Sequence, residues 1–181
     1  MEMKNNMVLT ITISGLLIAA GIAIPMFMPL KVMIPPASFT LASHVPIFLA
    51  MFISPFSAAM VAVGTTVGFA VGGFPPVIVF RAATHILFAT LGAFYLKKRP
   101  DIHSSPVELR VFSFSMALLH ALGELLAVGV FYFGGNMSEL YYQQGFLTSG
   151  ILLVGLGTLI HSMVDFEIAN VVKRAVFIYK K

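Results

Sequence analysis

The chain has 181 residues, of which 59% are hydrophobic and only 10% are charged, and its mean hydropathy is +0.96. Soluble domains usually carry about 25% charged residues, because they must cover a polar surface. The composition therefore excludes a soluble enzyme and predicts an all-α integral membrane protein. At about 20 residues per spanning helix, the length allows five or six spans and no extramembrane domain.

Several kinds of chemistry are missing from the sequence. Because there is no cysteine, disulfides, thiolate zinc sites and cysteine nucleophiles are excluded. The motifs GxxxxGK[ST], HEXXH and GxSxG are also absent. We therefore expect no catalytic residue, no metal and no cofactor on this chain, which is not expected to be an enzyme. The net charge of +4 does not predict nucleic-acid binding here, since the distribution of charge matters more in a membrane protein.

Six apolar segments are predicted to form helices. The first, 7–24, is expected to end at Pro25 and Pro29, and we interpret it as a retained helix, not as a signal peptide. Serine followed by proline, at Ser54 and again at Ser105, is typical of a helix N-terminus. The predicted helices cover residues 7–24, 43–53, 56–72, 76–96, 107–133 and 147–172.

Two loops and the basic residues predict the topology. A proline-rich stiff loop is expected over 26–42, and a polar, aromatic loop over 134–146. With six helices, nearly all basic residues fall on the side of the two termini, while Lys31 lies opposite and Arg81 lies inside helix four. Positive charge marks the cytoplasmic face, so a single six-helix domain over 1–181 is predicted, with cytoplasmic termini and both loops facing outward.

Ionisable residues inside the predicted helices need an explanation, since each costs about 2.5–3.5 kcal/mol at mid-bilayer. Residues four apart share a helix face. Three such pairs occur, and they are Arg81 with His85, His120 with Glu124, and His161 with Asp165. Counting along the helices places Arg81 roughly 8 Å deep and Glu124 roughly 13 Å deep. A polar pocket that opens outward is therefore predicted. His161 and Asp165 lie deeper and are expected to be structural or part of an inner interface.

The predicted binding residues combine this pocket with the outer loops, because aromatic rings can stack on a flat ligand and polar groups can bond it. They are Phe39, Thr40, His44, Arg81, His85, His120, Glu124, Tyr141 and Tyr142. Two plainer interpretations stay open. Arg81 and Glu124 could form a structural pair between helices, and the tyrosines could belong to an interfacial aromatic belt.

Small residues at a spacing of four form one stripe on each of two helices, where a second backbone can approach closely. The stripe of helix three is expected to serve internal packing, and it consists of Gly64, Gly68 and Gly72. The stripe of helix one could face a separate protein, and it consists of Gly15, Ala19 and Ala23.

Together these features resemble the substrate-binding S components of energy-coupling factor (ECF) vitamin transporters. The resemblance covers nearly the whole chain: its size, six helices, proline-rich first loop and the motif Ala19-xxx-Ala23. The run PASFTLASHVPIFLAMFISPFSA is similar to group II members, which share their ATPase module. Only Ala19 and Ala23 carry over from the family by motif.

The resemblance implies a subunit of the bacterial plasma membrane that binds one water-soluble vitamin at its outer side. It implies docking through helix one on a transmembrane coupling protein, the T component, driven by two ATPase subunits. The chain itself would bind no cofactor, since ATP would be used by those partners. Release of the vitamin would follow toppling of the subunit in the membrane.

The identity of the vitamin stays open at this point. Arg81 suits a carboxylate and favours niacin or pantothenate, with niacin slightly ahead. His120 and Glu124 would instead suit pyridoxine or hydroxymethylpyrimidine. If Glu124 neutralises Arg81, the preference for an anion disappears.

Two other functions were weighed against a binding subunit. An autonomous proton-coupled carrier or channel could use a relay of ionisable side chains, namely His120, Glu124, His161 and Asp165. An intramembrane hydrolase is disfavoured by the missing motifs.

Overall fold

The computed structural model describes residues 2–34 and 37–178. Pro35 and Pro36 of the predicted stiff loop, Met1 and residues 179–181 lie outside the described residues. The elements are α1 (Glu2–Phe27), β1 (Lys31–Ile34), β2 (Ala37–Thr40), α2 (Val45–Ile53), α3 (Pro55–Val71), α4 (Pro76–Lys98), a 3-10 turn (Pro100–Ser104), α5 (Pro106–Phe133), α6 (Glu139–Phe146), a π-helical segment (Leu147–Leu156) and α7 (Gly157–Ile178).

The helices have the length and composition of a membrane protein. Four described stretches are long and apolar enough to cross a bilayer, and they are Met7–Phe27, Pro76–Lys98, Pro106–Phe133 and Glu139–Ala175. Large apolar side chains such as Phe27, Val71 and Leu126 are exposed on the outside of the bundle, as expected for a surface in contact with lipid. The prediction of an α-helical membrane protein is confirmed, whereas the number of spans and the side of the termini stay predictions.

The expectation that Pro25 ends the first helix was wrong. Helix α1 runs through Pro25 to Phe27, and the Met28 N–H still donates to the Ile24 carbonyl at 2.9 Å. A proline so close to a helix end removes one backbone donor without stopping the last turn. The Pro25 carbonyl accepts a hydrogen bond from the Lys31 ammonium at 2.9 Å.

The proline-rich loop is also more regular than expected, because it contains an antiparallel hairpin. Strands β1 and β2 pair from Lys31 opposite Thr40 to Ile34 opposite Ala37. The two adjacent prolines fall between the strands in the sequence. Proline content therefore argued against a helix here, but it did not argue against a hairpin.

The second loop contains a further helix, α6, where a polar loop was expected. Its sequence ELYYQQGF contains good helix formers. Its helical backbone is interrupted at Gly145, whose φ of 75° lies in the left-handed region. The predicted sixth helix starts at Leu147 as expected, but its first ten residues are π-helical. The Ser149 hydroxyl donates to the Gly145 carbonyl at 2.8 Å, which joins this segment to α6.

Helix α2 lies in the centre of the bundle and is buried on most sides. Its Phe48 ring packs between Phe88 of α4 and Phe166 of α7, with ring centroids 5.7 and 5.3 Å apart. The predicted N-cap at Ser54 is confirmed, since its hydroxyl accepts the Ser57 N–H at 3.0 Å and starts α3. This packing fixes the N-terminal end of α2, where His44 is the cap residue.

Helices α1 and α3 meet through the glycine stripe of α3. The side chains of Ile18 and Ile22 occupy the space that a Cβ atom would need at Gly64 and Gly68. The prediction that this stripe serves internal packing is confirmed for Gly64 and Gly68, whereas Gly72 is the C-cap residue of α3. On α1, by contrast, Gly15 is exposed and a Cβ atom there would meet nothing within 4 Å.

Replacement of Gly68 by leucine should therefore destabilise the protein, because the new side chain would overlap that of Ile22. Overpacking of this kind costs about 1–3 kcal/mol. We expect Gly68→Leu to lower the midpoint of thermal unfolding by several degrees, measured by circular dichroism in detergent. Gly15→Leu is the matched control and should leave the midpoint unchanged or raise it, since glycine is a poor helix former. Equal destabilisation by both variants would contradict this packing.

Candidate functional site

A cavity of about 380 Å³ lies beside the hairpin, between α1, α2, α3, α4, α5 and α7. Its size is within the range of about 300–1,000 Å³ that is typical of small-molecule sites. Three of the lining residues are aromatic, namely Phe39, Phe69 and Phe74, and we call them the aromatic wall. The ionisable lining residues are Lys31, His44, Arg81, His85, Glu124 and His161.

Glu124 lies at the floor of the cavity, and its side chain is 4% exposed. Its Oε2 atom accepts a hydrogen bond from the Arg81 guanidinium at 2.8 Å and a second one from the Thr158 hydroxyl. Its Oε1 atom faces Nε2 of His85 at 3.3 Å and Nε2 of His120 at 3.5 Å. Helices α4, α5 and α7 are therefore joined through one carboxylate.

This arrangement forms the Arg81–Glu124 pair, so the charge of Arg81 alone no longer argues for an anionic ligand. Two features restore a preference for anions. The Nε donor of Arg81 is buried and has no hydrogen-bond partner in the part of the chain that the structure describes. Lys31 adds a second cation to a lining whose carboxylate is Glu124. Two cationic side chains, Lys31 and Arg81, thus line the cavity together with one carboxylate, that of Glu124.

Three histidines, from α4, α5 and α7, lie around His44. Its ring lies 5.1 Å from that of His85, 4.5 Å from that of His120 and 5.1 Å from that of His161, measured between centroids. The Nε2 atoms of His85 and His120 are 3.0 Å apart. Nδ1 of His120 lies 3.1 Å from the Ser162 hydroxyl. The imidazoles therefore form one connected polar cluster, which we call the histidine cluster.

Asp165 fixes the position of His44. Its two carboxylate oxygens accept the backbone N–H groups of Ala42 and His44, each at 2.8 Å, and Oδ2 also lies 3.2 Å from Nδ1 of His44. Ala42 has a positive φ of 67°, which is unfavourable for a non-glycine residue. The carboxylate holds this strained turn between β2 and α2 and so anchors the hairpin to α7.

His161 was expected to be structural or part of an inner interface, and the structure places it in the lining of the cavity, so its role toward a ligand stays a prediction. Depth counting had placed His44 near the surface and His161 far below it. In the structure the turn that carries His44 enters the bundle, and Ser43 reaches His161 at 3.0 Å between Oγ and Nε2. Asp165 is structural, as expected, in that it holds this turn.

The structure brings most of the predicted binding residues together. Those that line the cavity are Phe39, Thr40, His44, Arg81, His85 and Glu124. His120 lies directly behind them and is 1% exposed. Tyr141 and Tyr142 do not line the cavity, since the Tyr142 hydroxyl instead bonds the Met137 N–H and the Tyr132 carbonyl. The role of these residues toward a ligand stays a prediction.

Sequence reasoning missed several lining residues. Phe69 and Phe74 stack on each other at the end of α3, with centroids 4.4 Å apart, and no polar residue nearby marked them as part of a site. Lys31 did carry a signal, since it is the one basic residue in the two loops that are predicted to face outward. Phe39 packs against the backbone of Gly157, where a Cβ atom would overlap its ring.

A second cavity of about 330 Å³ lies near the C-terminal ends of α2 and α4. Its lining includes Lys97 and His103 but no carboxylate. His103 accepts a hydrogen bond from Lys173, and burial, with the charges of Lys173 and Arg174 adding to it, lowers the pKa of His103. The first cavity, with its paired charges and aromatic wall, is the better candidate for ligand binding.

An α-helical membrane protein with an aromatic, charged cavity and no catalytic motif has the features of a binder of small solutes. No family model matches the chain, and no solved structure matches it. The chain is 43% identical over 178 residues to the niacin transporter NiaX of Lactococcus lactis subsp. cremoris (strain MG1363), which covers 96% of this chain and 79% of that protein. The chain therefore belongs to the S components of ECF vitamin transporters and is a vitamin-uptake subunit, not an enzyme.

Removal of the Asp165 carboxylate should loosen the turn that carries His44. Asp165→Ala leaves the half-buried backbone N–H groups of Ala42 and His44 without this acceptor, and a fully buried group in that state costs about 1–3 kcal/mol. We expect a clear fall in the midpoint of thermal unfolding, with a smaller fall for Asp165→Asn, whose amide oxygen still accepts. The exposed Glu167 on the same helix is the control, and Glu167→Ala should change nothing. A midpoint for Asp165→Ala that equals the control value would show that the carboxylate does not hold the turn.

Proposed function

We propose that this chain is the niacin-binding S component of an ECF-type importer in a bacterial plasma membrane. Six spans, with both termini in the cytoplasm, would place the hairpin and the cavity toward the outside. The observation that carries the proposal is the cavity, in which Lys31 and Arg81 face a single lining carboxylate beside an aromatic wall. The name of the relative, niacin transporter, points to the same ligand.

Niacin is a flat pyridine ring with one carboxylate, and both parts have a counterpart in the cavity. The carboxylate can accept from the unpaired Nε donor of Arg81 and from Lys31. The ring can stack on Phe39 or on the pair Phe69–Phe74. Pyridoxine and hydroxymethylpyrimidine lack the carboxylate and would leave the buried Nε donor of Arg81 without an acceptor and the charge of Lys31 without an anion.

Transport needs a source of energy that this chain lacks, since its sequence has no nucleotide-binding motif. A T component and two ATPase subunits would supply it. The face of α1 that carries Gly15 and Ala19 is exposed, and α1 packs on α3 through the other face. This free small-residue face suits close packing against a transmembrane helix of the T component.

An autonomous proton-coupled carrier is the second candidate, because the residues of the predicted relay form a connected cluster. His120 meets Glu124 at 3.5 Å, and His161 meets Asp165 at 3.2 Å. His44 contacts both halves through its ring. In this function the chain alone would accumulate solute when a proton gradient is applied.

Binding is tested with the purified protein and nicotinate by calorimetry, since the chain has no tryptophan to report it by fluorescence. We expect a dissociation constant at or below about 1 μM, equivalent to about 8 kcal/mol. Nicotinamide, which lacks the negative charge, should bind at least tenfold more weakly. Lys31→Met should reduce the affinity for nicotinate about tenfold, whereas Lys97→Met, in the second cavity, should not. Equal affinity for nicotinate and nicotinamide would argue against recognition of an anion.

Transport is tested in proteoliposomes with labelled nicotinate. The chain alone should accumulate nothing, with or without a proton gradient, and accumulation should appear when an ECF module and internal ATP are added. Ala19→Leu should abolish this uptake and leave nicotinate affinity intact, because it blocks only the docking face. Ala83→Leu, at an exposed position on α4, is the matched control and should transport normally. Accumulation by the chain alone would support the autonomous carrier instead.

A further inference from the structure

Three ligand atoms converge at the floor of the cavity in a nearly equilateral triangle. Nε2 of His85 and Nε2 of His120 are 3.0 Å apart, and Oε1 of Glu124 lies 3.3 Å from the first and 3.5 Å from the second. A tetrahedral zinc ion with bonds of about 2.0–2.1 Å holds its ligand atoms about 3.3 Å from one another. The triangle therefore has the dimensions of one face of such a site.

In Glu124 and His120 the remaining polar atom is held by another group, as is typical of metal ligands. Oε2 of Glu124 is taken by Arg81 and Thr158, which leaves Oε1 directed at the two imidazoles. Nδ1 of His120 faces the Ser162 hydroxyl. The ligand atoms are thus oriented before any ion arrives.

In one tautomer of His120, hydrogen bonding alone satisfies the triangle poorly. If His120 donates its Nδ1 proton to Ser162, its Nε2 is a bare acceptor. One proton on Nε2 of His85 must then serve both that nitrogen and the carboxylate oxygen of Glu124. A divalent cation at the centre would meet all three lone pairs at once.

The site also has an open side. His85 and Glu124 line the cavity, and so does His44, whose ligand atom lies with the other three within 4.8 Å. A second possible group, of His44, His161 and Asp165, is less suitable because both oxygens of Asp165 already accept backbone N–H groups. An ion bound to the three atoms would therefore have its fourth coordination position toward the cavity, which a ligand would enter.

We propose that His85, His120 and Glu124 hold one divalent transition ion of the zinc type, with the fourth coordination position open to the cavity beside His44. The two nitrogens and one oxygen are suitable donors for zinc or cobalt. No sequence motif predicted an ion here, because the ligands come from two helices and are not spaced as HEXXH. The binding of the ion rests on this geometry alone.

A second step rests on the proposed function. The ion and Arg81 would bring three positive charges against the one negative charge of Glu124. A carboxylate ligand such as nicotinate could then take the open position and reduce this excess. Ion and carboxylate should therefore each strengthen the binding of the other, by the same factor.

The test uses the full-length protein in detergent, stripped with EDTA and titrated with Zn²⁺ by calorimetry and with Co²⁺ by absorption spectroscopy. We expect one ion per chain and the intense visible bands of four-coordinate Co²⁺. His120→Gln and His85→Gln should each weaken Zn²⁺ binding at least a hundredfold. His161→Gln keeps the triangle and should bind Zn²⁺ normally. The midpoint of thermal unfolding without metal identifies any variant that fails to fold, and the other variant then decides.

The outcomes separate this proposal from the proposed function. Absence of saturable Zn²⁺ and Co²⁺ binding, in a protein that still binds nicotinate, overturns the ion site and leaves the niacin function intact. Loss of Zn²⁺ binding in His161→Gln but not in His120→Gln also overturns it. One bound ion in a protein that binds no nicotinate supports the site and counts against the niacin function. A tenfold gain in Zn²⁺ affinity with nicotinate, and none with nicotinamide, supports both.

Discussion

The cavity depends on a buried carboxylate, that of Glu124, in a bundle whose outer surface is made for lipid. A buried charge costs several kcal/mol unless opposite charge and hydrogen bonds offset it. Arg81 and Thr158 supply that offset through Oε2, and the two imidazoles face Oε1. Because these partners come from α4, α5 and α7, the requirement to satisfy one carboxylate fixes the relative positions of three helices. The polar floor of the cavity follows from that constraint.

A second carboxylate, that of Asp165, joins separate segments in the same way next to the hairpin. Its oxygens hold the backbone of the turn that follows β2, and this turn carries a strained residue, Ala42. The hairpin is thereby attached to α7, and with it Phe39, which packs on Gly157. Glu124 thus positions the floor of the cavity, and Asp165 positions Phe39 of its aromatic wall. The cavity is built from elements that are distant in sequence but joined by two acidic side chains.

The parts that were predictable from the sequence are those that depend on a single helix. Spacing by four correctly placed Arg81 with His85, and His120 with Glu124, on shared faces that turn inward. The packing at Gly64 and Gly68 of α3 was also predictable from the sequence, because a helix face without side chains allows a second helix to approach closely. What failed depended on contacts between segments. The depth of His161 relative to His44 follows from a turn that enters the bundle, and the position of the tyrosines follows from α6, for which hydrophobicity gives no signal.

Helix α1 links the cavity to the surface on which a partner would act. Its isoleucines pack into the glycine stripe of α3, and its exposed small residues point elsewhere, so a partner can approach that face without displacing the packing. The same helix contributes Gly21 and Pro25 to the cavity lining, and the Pro25 carbonyl accepts the hydrogen bond of Lys31. A shift of α1 that is caused by docking would therefore move a cation of the cavity. If a partner docks on this face as proposed, docking would be coupled through one helix to release of an anionic ligand.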